Sequence, residues 1–435
     1  MDQSNEEENK HGWCVECQQI NTGRLWCRAC NSKRFQQNFS NWTSGNDDVD
    51  KFIQNCQLLA KDKFQLLEWI PYDRFYNIKY VAKGGFGKVY SAIWKDGHIS
   101  HWNLSKNSWE RRGSNKHVAL KSLNNSQNIT LDFINEIIPH VELILPNQYI
   151  GYYGISQDPD TKDYIIVLTY AGKLQNYFKR KAPYNRKQPF DLKLRRRIIA
   201  LLDIVNGLKK IHEKEILHRN LHVGNILVFK KIAYITDMGL CKPTNYKEFN
   251  ITDNSVYGVL PYVAPEILRG QPYTKESDIY SFGIIMYEVI SGIPPYNGIE
   301  HNEYLALKIC EGLRPRFSIN VPQLILHLIK RCLDANPLNR PDVKDLSKIF
   351  HEWLDEFKRH NREKTESTKT ELIKQIEESE KINNSSTVST NLSLTNELCS
   401  KDIYTSKLLN FNNLSEPKNS DDYYENYDNI SSILL

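Results

Sequence analysis

The 435-residue sequence has no uninterrupted apolar run near the ~18 residues that a membrane-spanning helix needs. Its longest candidate, Phe282 to Ile293, is broken by Tyr287, Glu288, Ser291 and Gly292. No secretory signal is visible, since the sequence opens on the acidic, polar string MDQSNEEENK, and none is expected. Charge excess is small: 57 basic against 52 acidic residues give a net charge of +5. A balance that even does not mark a nucleic-acid binder, and no nucleic-acid or membrane partner is expected. No repeat at solenoid periods is visible. These absences point to a cytoplasmic protein, with nuclear access left open. Sequons such as Asn38-Phe-Ser and Asn41-Trp-Thr carry no weight in that setting.

What is present divides into four stretches. Residues 1–45 carry a cysteine-rich module. Residues 46–76 form a linker in which Val49, Phe52, Ile53, Cys56, Leu59 and Ala60 recur at helical spacing, which predicts an amphipathic helix packing against the following domain. Residues 77–355 alternate strand and helix signals with glycine punctuation. Residues 356–435 are rich in Asn, Ser, Glu and Lys and read as mostly disordered. One short helix through Leu372, Ile373, Ile376 and Ile382 is an option there, marginal if isolated.

Four of the nine cysteines form two C-x2-C knuckles, Cys14-Val-Glu-Cys17 and Cys27-Arg-Ala-Cys30, nine residues apart. Each knuckle can present two thiolates to one ion, and two knuckles give the tetrahedral sulfur set that suits Zn²⁺. The rival reading is a pair of disulfides or redox-active thiols, which a cytoplasmic chain disfavours. A module this small cannot bury its own core, so bound metal would supply most of its folding energy. Trp13, Asn21 and the knuckles resemble a Ran-binding-type zinc finger, whose relatives bind single-stranded RNA or ubiquitin. The first knuckle and the Asn-to-Cys spacing are shorter here, so a structural or partner-docking role is the safer expectation.

In the third stretch, Tyr80-Val-Ala-Lys-Gly-Gly-Phe-Gly-Lys-Val89 alternates like a strand and then turns through glycines. Gly84 and Gly87 let backbone approach phosphates closely. Val118-Ala-Leu-Lys121 follows as a strand whose lysine can pair with phosphates. Asp132-Phe-Ile-Asn-Glu136 reads as a helix after Thr130, with Glu136 placed to orient Lys121. Between them, residues 96–116 form a polar insertion with Trp102 and Trp109, expected to be a surface hairpin without an assigned role. Pro139 is expected to kink or end the Glu136 helix.

This order and spacing resemble a protein kinase. The resemblance implies a bilobal α+β fold, with a five-stranded N-lobe carrying a C-helix and a mainly helical C-lobe. It implies ATP and Mg²⁺ as cofactors and a protein substrate or signalling partner. Ala82 stands where the first loop glycine is usual. By resemblance, Ala82, Gly84, Gly87, Val89, Ala119 and Lys121 hold the nucleotide. Leu168 is the gatekeeper, and the Thr169–Ala171 backbone bonds the adenine. His218-Arg219-Asn220-Leu221-His222-Val223-Gly224-Asn225 matches the kinase catalytic loop, except that Asn220 replaces the aspartate that accepts the hydroxyl proton. His222 stands where lysine is usual in Ser/Thr kinases, and Val259 replaces a bracing threonine. Asn225 and Asp237, the latter in Thr236-Asp-Met-Gly239, are the expected Mg²⁺ ligands. Glu266 is expected to pair with Arg340, and Asp278 to hold the catalytic loop. Thr244, Tyr246, Thr252, Ser255 and Tyr257 are candidate phosphosites, with Arg219 as receiver.

Over about residues 13–355 the chain is similar to a fungal family of tyrosine-kinase-like kinases with an N-terminal cysteine-pair module. Cys30-Asn-Ser-Lys-Arg-Phe, Asn41-Trp-Thr-Ser-Gly-Asn46, Trp69-Ile-Pro-Tyr-Asp-Arg-Phe75 and Gly258-Val-Leu-Pro-Tyr-Val-Ala-Pro-Glu266 carry that likeness. Active relatives keep aspartate at the position of Asn220. Three readings follow: a kinase for Ser/Thr hydroxyls impaired at Asn220, a pseudokinase acting as a nucleotide-responsive scaffold, and a zinc-finger reader of RNA or ubiquitin.

Overall fold

A computed structural model describes residues 11–83, 87–124, 126–127, 151–179, 190–237, 240–244, 256–363, 369–385, 404, 406–411 and 413–420. The chain divides into two units, 1–171 and 172–435.

In the first unit, α1 (Arg28–Gln37) leaves the second cysteine knuckle and α2 (Asp47–Leu59) follows. The Asn46 side chain caps α2 by accepting from the Asp48 and Val49 amides, and Asp47, Asp48 and Asp50 complement the helix dipole. The strands are β1 (Glu68–Trp69), β2 (Phe75–Lys83), β3 (Gly87–Trp94), β4 (His98–Asn103), β5 (Ser108–Arg112), β6 (Lys116–Leu123), β7 (Tyr152–Gln157) and β8 (Tyr164–Thr169). They build a six-stranded sheet of order β1-β7-β8-β6-β3-β2, with β4–β5 as a separate hairpin. The five strands expected are β2, β3, β6, β7 and β8, and β1, from the stretch 46–76, adds a sixth at the edge. β1 joins parallel to β7 because Gly154 leaves room: a Cβ there would lie 1.9 Å from the Glu68 carbonyl oxygen. The expected C-helix, with Glu136 and Pro139, lies outside the described residues.

Strand alternation gives the sheet two apolar faces. On one, Phe75, Ala92, Val118, Leu120, Ile165 and Val167 pack together. On the other, Leu123, Ile155 and Ile166 pack against Val49 and Ile53 of α2. The β4–β5 hairpin is the insertion. It is no isolated surface arm: Trp109 stacks on Phe35 and Trp26 of the cysteine-rich segment, with ring centroids 4.5 and 5.9 Å away. The Trp26 indole donates to the Ala60 carbonyl at 3.0 Å, and Arg111 of the hairpin pairs with the buried Glu68 of β1.

The second unit runs β9 (Gly172–Lys173), α3 (Leu174–Lys179), α4 (Phe190–Glu213), β10 (Ile216–Leu217), β11 (Ile226–Phe229), β12 (Ile232–Ile235), β13 (Lys242–Pro243) and β14 (Val256–Gly258). It continues with α5 (Pro265–Leu268), α6 (Lys275–Ser291), α7 (Glu303–Cys310), α8 (Gln323–Cys332), α9 (Val343–Glu363), α10 (Glu371–Ser385) and β15 (Lys407–Leu409). Its centre is α6, buried from Ser277 to Ile290, entered through a Thr274–Ser277 capping box and stopped by Gly292 at φ 77°. The apolar run at Phe282 is thus a core helix, and no described helix is long and apolar enough to cross a membrane.

Two segments of the stretch expected to be mostly disordered are structured. α10 buries Leu372, Ile373 and Ile376 on α4 and α9, while Ile382 stays exposed. β15 pairs antiparallel with β14. A helix too short to stand alone is stable here because its apolar stripe meets a prepared surface.

Candidate functional site

In the first unit, the β-sheet register gathers the expected nucleotide-binding residues. Ala82 lies opposite Val89, Val89 opposite Lys121, and Lys121 opposite Ile166. Directly opposed residues share a face, as do residues two apart on a strand. Ala82, Val89, Ala119, Lys121 and Leu168 therefore occupy one face of the sheet, the same face on which α2 packs near Ile166. Gly87 sits where β3 presses on β6; a Cβ there would lie 2.1 Å from the Ser122 carbonyl oxygen. Gly84 lies outside the described residues. The Thr169 amide is already committed, donating to the Gly151 carbonyl at 2.9 Å. That narrows the expectation for the 169–171 backbone, because a paired N–H cannot also serve an adenine.

In the second unit, the catalytic loop hangs on one buried carboxylate. Asp278 accepts from the amides of His218 and Arg219 at 2.9 and 3.0 Å and lies 3.0 Å from His212 Nε2. These contacts hold its carboxyl below the usual range against the opposing, larger effect of burial. Arg219 adopts a left-handed φ of 66°, and its guanidinium lies 4.5 Å from the Tyr273 ring centroid. Below the loop, Glu266 takes a bidentate ion pair from the fully buried Arg340 side chain at 2.6 and 2.8 Å.

Asn225 and Asp237 are tied through backbone. The Asn225 carbonyl accepts from both the Thr236 amide, at 2.8 Å, and the Thr236 hydroxyl, at 2.9 Å. Asp237 follows at a left-handed φ of 63°. The Asn225 side-chain nitrogen donates to the Asn220 carbonyl at 2.9 Å, which leaves its Oδ1 as the atom to face a cation. A hard cation such as Mg²⁺ takes oxygen ligands of this kind.

Asn220 is 4 % exposed, and among the described residues no neighbouring base replaces the aspartate it displaces. The His222 ring is buried, which pushes its proton affinity down to about 3, and its Nδ1 already accepts from the Gly224 amide at 3.2 Å. Val259 lines the same small cavity as Asn220 and His222 but offers only methyl groups. The Asn220 Oδ1 instead accepts from the hydroxyl of Ser406 at 3.1 Å. Ser406 was not singled out by motif. The only signal was the Tyr and Leu content of its surroundings, Tyr404 and Lys407-Leu-Leu409, in an otherwise polar region.

Among the candidate phosphosites, Thr244 reaches Glu215 at 3.3 Å and Tyr257 lies within β14, while Tyr246, Thr252 and Ser255 fall outside the described residues.

The cysteine cluster forms a second candidate site. The sulfurs of Cys14, Cys17, Cys27 and Cys30 all lie within 4.8 Å of one another. The Cys14–Cys30 and Cys17–Cys27 separations are 3.8 and 3.5 Å. A tetrahedral zinc–thiolate centre has sulfur–sulfur edges of about 3.8 Å, so the set fits. None of the four is in a disulfide. A hydrogen bond from the backbone at Gln19 pulls Cys17 down to about 7, toward the thiolate a metal requires.

A family model described as "Protein tyrosine and serine/threonine kinase" matches residues 76–350. The chain is 30 % identical over 302 residues to "Probable serine/threonine-protein kinase gdt4" of Dictyostelium discoideum, covering 68 % of this chain and 17 % of the relative. It is 28 % identical over 194 residues to "Serine/threonine/tyrosine-protein kinase HT1" of Arabidopsis thaliana, covering 44 % and 47 %. It is 27 % identical over 289 residues to "Serine/threonine-protein kinase VIK" of the same plant, covering 63 % and 59 %. The chain thus spans less than two thirds of these relatives' lengths.

Proposed function

The chain belongs to the protein tyrosine and serine/threonine kinase family, and from that premise we propose that it transfers phosphate from ATP to protein Ser/Thr hydroxyls, slowly because of Asn220. The family implies ATP and Mg²⁺. In this reading the Ala82–Val89–Ala119–Lys121 face serves the nucleotide, and Asn225 Oδ1 with Asp237 serves the metal. When bound, Mg²⁺ neutralises charge on the phosphates. Asn220 positions the acceptor hydroxyl through Oδ1 but cannot take its proton. The observation that carries this reading is Asn220 itself, an amide in a loop whose His218 and Arg219 N–H groups bond Asp278 and whose Asn225 side chain bonds the Asn220 carbonyl.

General-base catalysis contributes about 10²–10⁴-fold, whereas phosphoryl transfer depends mainly on positioning and charge stabilisation. The decisive test compares purified protein with its Asn220→Asp variant on a generic protein substrate. A gain of about 10²-fold or more identifies Asn220 as the limiting residue. Equal rates would overturn that assignment. Mg-ATP should also raise the melting temperature of both proteins, and no shift at saturating nucleotide would remove the nucleotide claim.

A second reading is a catalytically silent, nucleotide-responsive scaffold of cytoplasmic signalling. It is favoured by His222, which is buried and engaged and so gives no substitute base beside Asn220 among the described residues. Two proteins that bind Mg-ATP yet transfer no phosphate would select it. The cysteine module is proposed to hold structural Zn²⁺ through Cys14, Cys17, Cys27 and Cys30.

A further inference from the structure

We propose that the second unit carries a track for an extended, hydroxyl-bearing peptide, and that Tyr404 with residues 406–411 and 413–420 of the chain occupies it in cis. This deepens the proposed function, and rests on its reading of Asn220 as the residue that positions an acceptor hydroxyl.

Four independent contacts define the track. First, β15 adds to β14 as an antiparallel strand, with Lys407 opposite Gly258, Leu408 opposite Tyr257 and Leu409 opposite Val256. Strand addition supplies affinity through backbone, whatever the side chains, and alternate side chains supply selectivity. Second, the residue just before that strand is Ser406, whose hydroxyl donates to Asn220 Oδ1 at 3.1 Å. Among the described tail hydroxyls, the register places this one on the acceptor-positioning amide. Third, Tyr404 packs over the catalytic loop. A Cβ on Gly224 would lie 3.1 Å from the Tyr404 Cβ, and the Tyr404 hydroxyl donates to the buried Glu288. Fourth, the segment is anchored far downstream. Glu416 pairs with Arg269, the Lys418 amide donates to the Cys310 carbonyl at 3.0 Å, and Asn419 Oδ1 accepts from the Ala335 amide at 2.8 Å. Gly312, at φ 100°, makes room for the chain: a Cβ there would lie 2.7 Å from the Ser420 amide nitrogen.

The alternation states what the track selects. Leu409 is 8 % exposed and belongs to the main core cluster, whereas Leu408 is 67 % exposed. The favoured ligand is therefore an extended peptide with a Ser or Thr hydroxyl, an apolar side chain three residues later, and an acidic residue about ten positions on, facing Arg269. A peptide acting in trans must displace the chain's own segment, so the segment limits access to the site.

The test reads binding alone, so it does not depend on whether the chain transfers phosphate. A fluorescein-labelled peptide spanning residues 402–420 is titrated, without nucleotide, against the full chain and against the full chain carrying Leu409→Asp and Glu416→Lys. The variant, its own segment released, should bind the peptide at least ten-fold more tightly than the unaltered chain. A Ser406→Ala peptide should bind the variant about three- to ten-fold more weakly, the worth of one hydrogen bond. Equal affinity of both chains for the native peptide, or equal binding of a scrambled peptide, overturns the proposal. If the double variant loses its cooperative melt, a charge swap carries the same decision. A chain with Arg269→Glu should prefer a Glu416→Lys peptide over the native one by about two- to five-fold, and no preference counts against the track. Failure of the Asn220→Asp assay in a chain that also carries Leu409→Asp and Glu416→Lys, with peptide binding intact, would sink the transfer reading and leave the track standing.

Discussion

Trp109 of the inserted hairpin stacks on Phe35 of the cysteine module, with ring centroids 4.5 Å apart and planes inclined by 13°. Trp26 continues the stack at 5.9 Å, Trp102 meets Trp109 edge-on at 5.1 Å, and Arg34 lies 4.6 Å from the Trp102 ring centroid. The hairpin and the module therefore share one apolar cluster, which also takes in Ala60, Leu66 and Ile99. Removing Trp109 should loosen the module from the sheet. We expect Trp109→Ala to cost toward the low end of the about 3–5 kcal/mol seen for buried aromatics, because this ring is only half-buried. Limited proteolysis should then cut near residues 11–46 faster than in the unaltered chain. Unchanged cleavage would show that the stack does not hold the module.

Zinc content tests the sulfur cluster directly. Purified protein should carry stoichiometric zinc by elemental analysis, and Cys17→Ser should lower it. Chelation should expose the Trp26 indole, which is 1 % exposed, and shift its fluorescence to the red. Metal-free protein with an unchanged Trp26 environment would rule out the structural role.

The Glu266–Arg340 pair makes a stability prediction. Arg340 is fully buried at its side chain and also donates to the Asp334 carbonyl at 2.9 Å. Arg340→Ala would strand a buried carboxylate and several acceptors, at a cost of about 3–5 kcal/mol. Arg340→Lys should recover only part of this, since an ammonium cannot reproduce the fork. Urea denaturation of the three proteins would decide, and a loss below about 1 kcal/mol for Arg340→Ala would contradict the buried-pair argument.

Asp203 makes a prediction about pH. Burial pushes its carboxyl up to about 6, although it accepts from the Ala233 amide at 3.0 Å. The folded chain thus holds this proton more tightly than the unfolded chain. The contribution to stability is fully present below pH 3.8 and is lost as pH rises through about 6. Asp203→Asn keeps an acceptor for Ala233 and removes the charge. It should stabilise the protein at pH 7.5 by about 1–2 kcal/mol, after allowance for solvent screening, with the difference vanishing near pH 4. A pH-independent difference between the two melting curves would refute the assignment to this carboxyl.

The expected kinase architecture needed no structure to be read, because its signals are local or ordered. Glycines before a strand, a lysine two strands on, and the 218–225 loop occur in sequence at set distances. Local periodicity likewise identified α2, whose Val49 and Ile53 pack on the sheet. The cysteine knuckles were legible because two thiolates per knuckle need only a short turn. Other features were not legible, since they depend on partners far apart in the chain. The β1 edge strand has only two residues, and its pairing is fixed by Gly154. The commitment of the Thr169 amide to Gly151 joins residues that share no motif.

The sequence by itself determined the broad protein-kinase family, the α+β class, and the exchange of a carboxylate for an amide at Asn220. Those follow from residue identity and order, which folding does not alter. Only the tertiary structure decided where Trp109 rests, whether His222 could stand in for the lost base, and which part of the polar tail is held. Ser406 lies 186 residues from Asn220. No periodicity or spacing carries information over that distance; strand pairing with β14 and the anchor at Arg269 bring the two groups together.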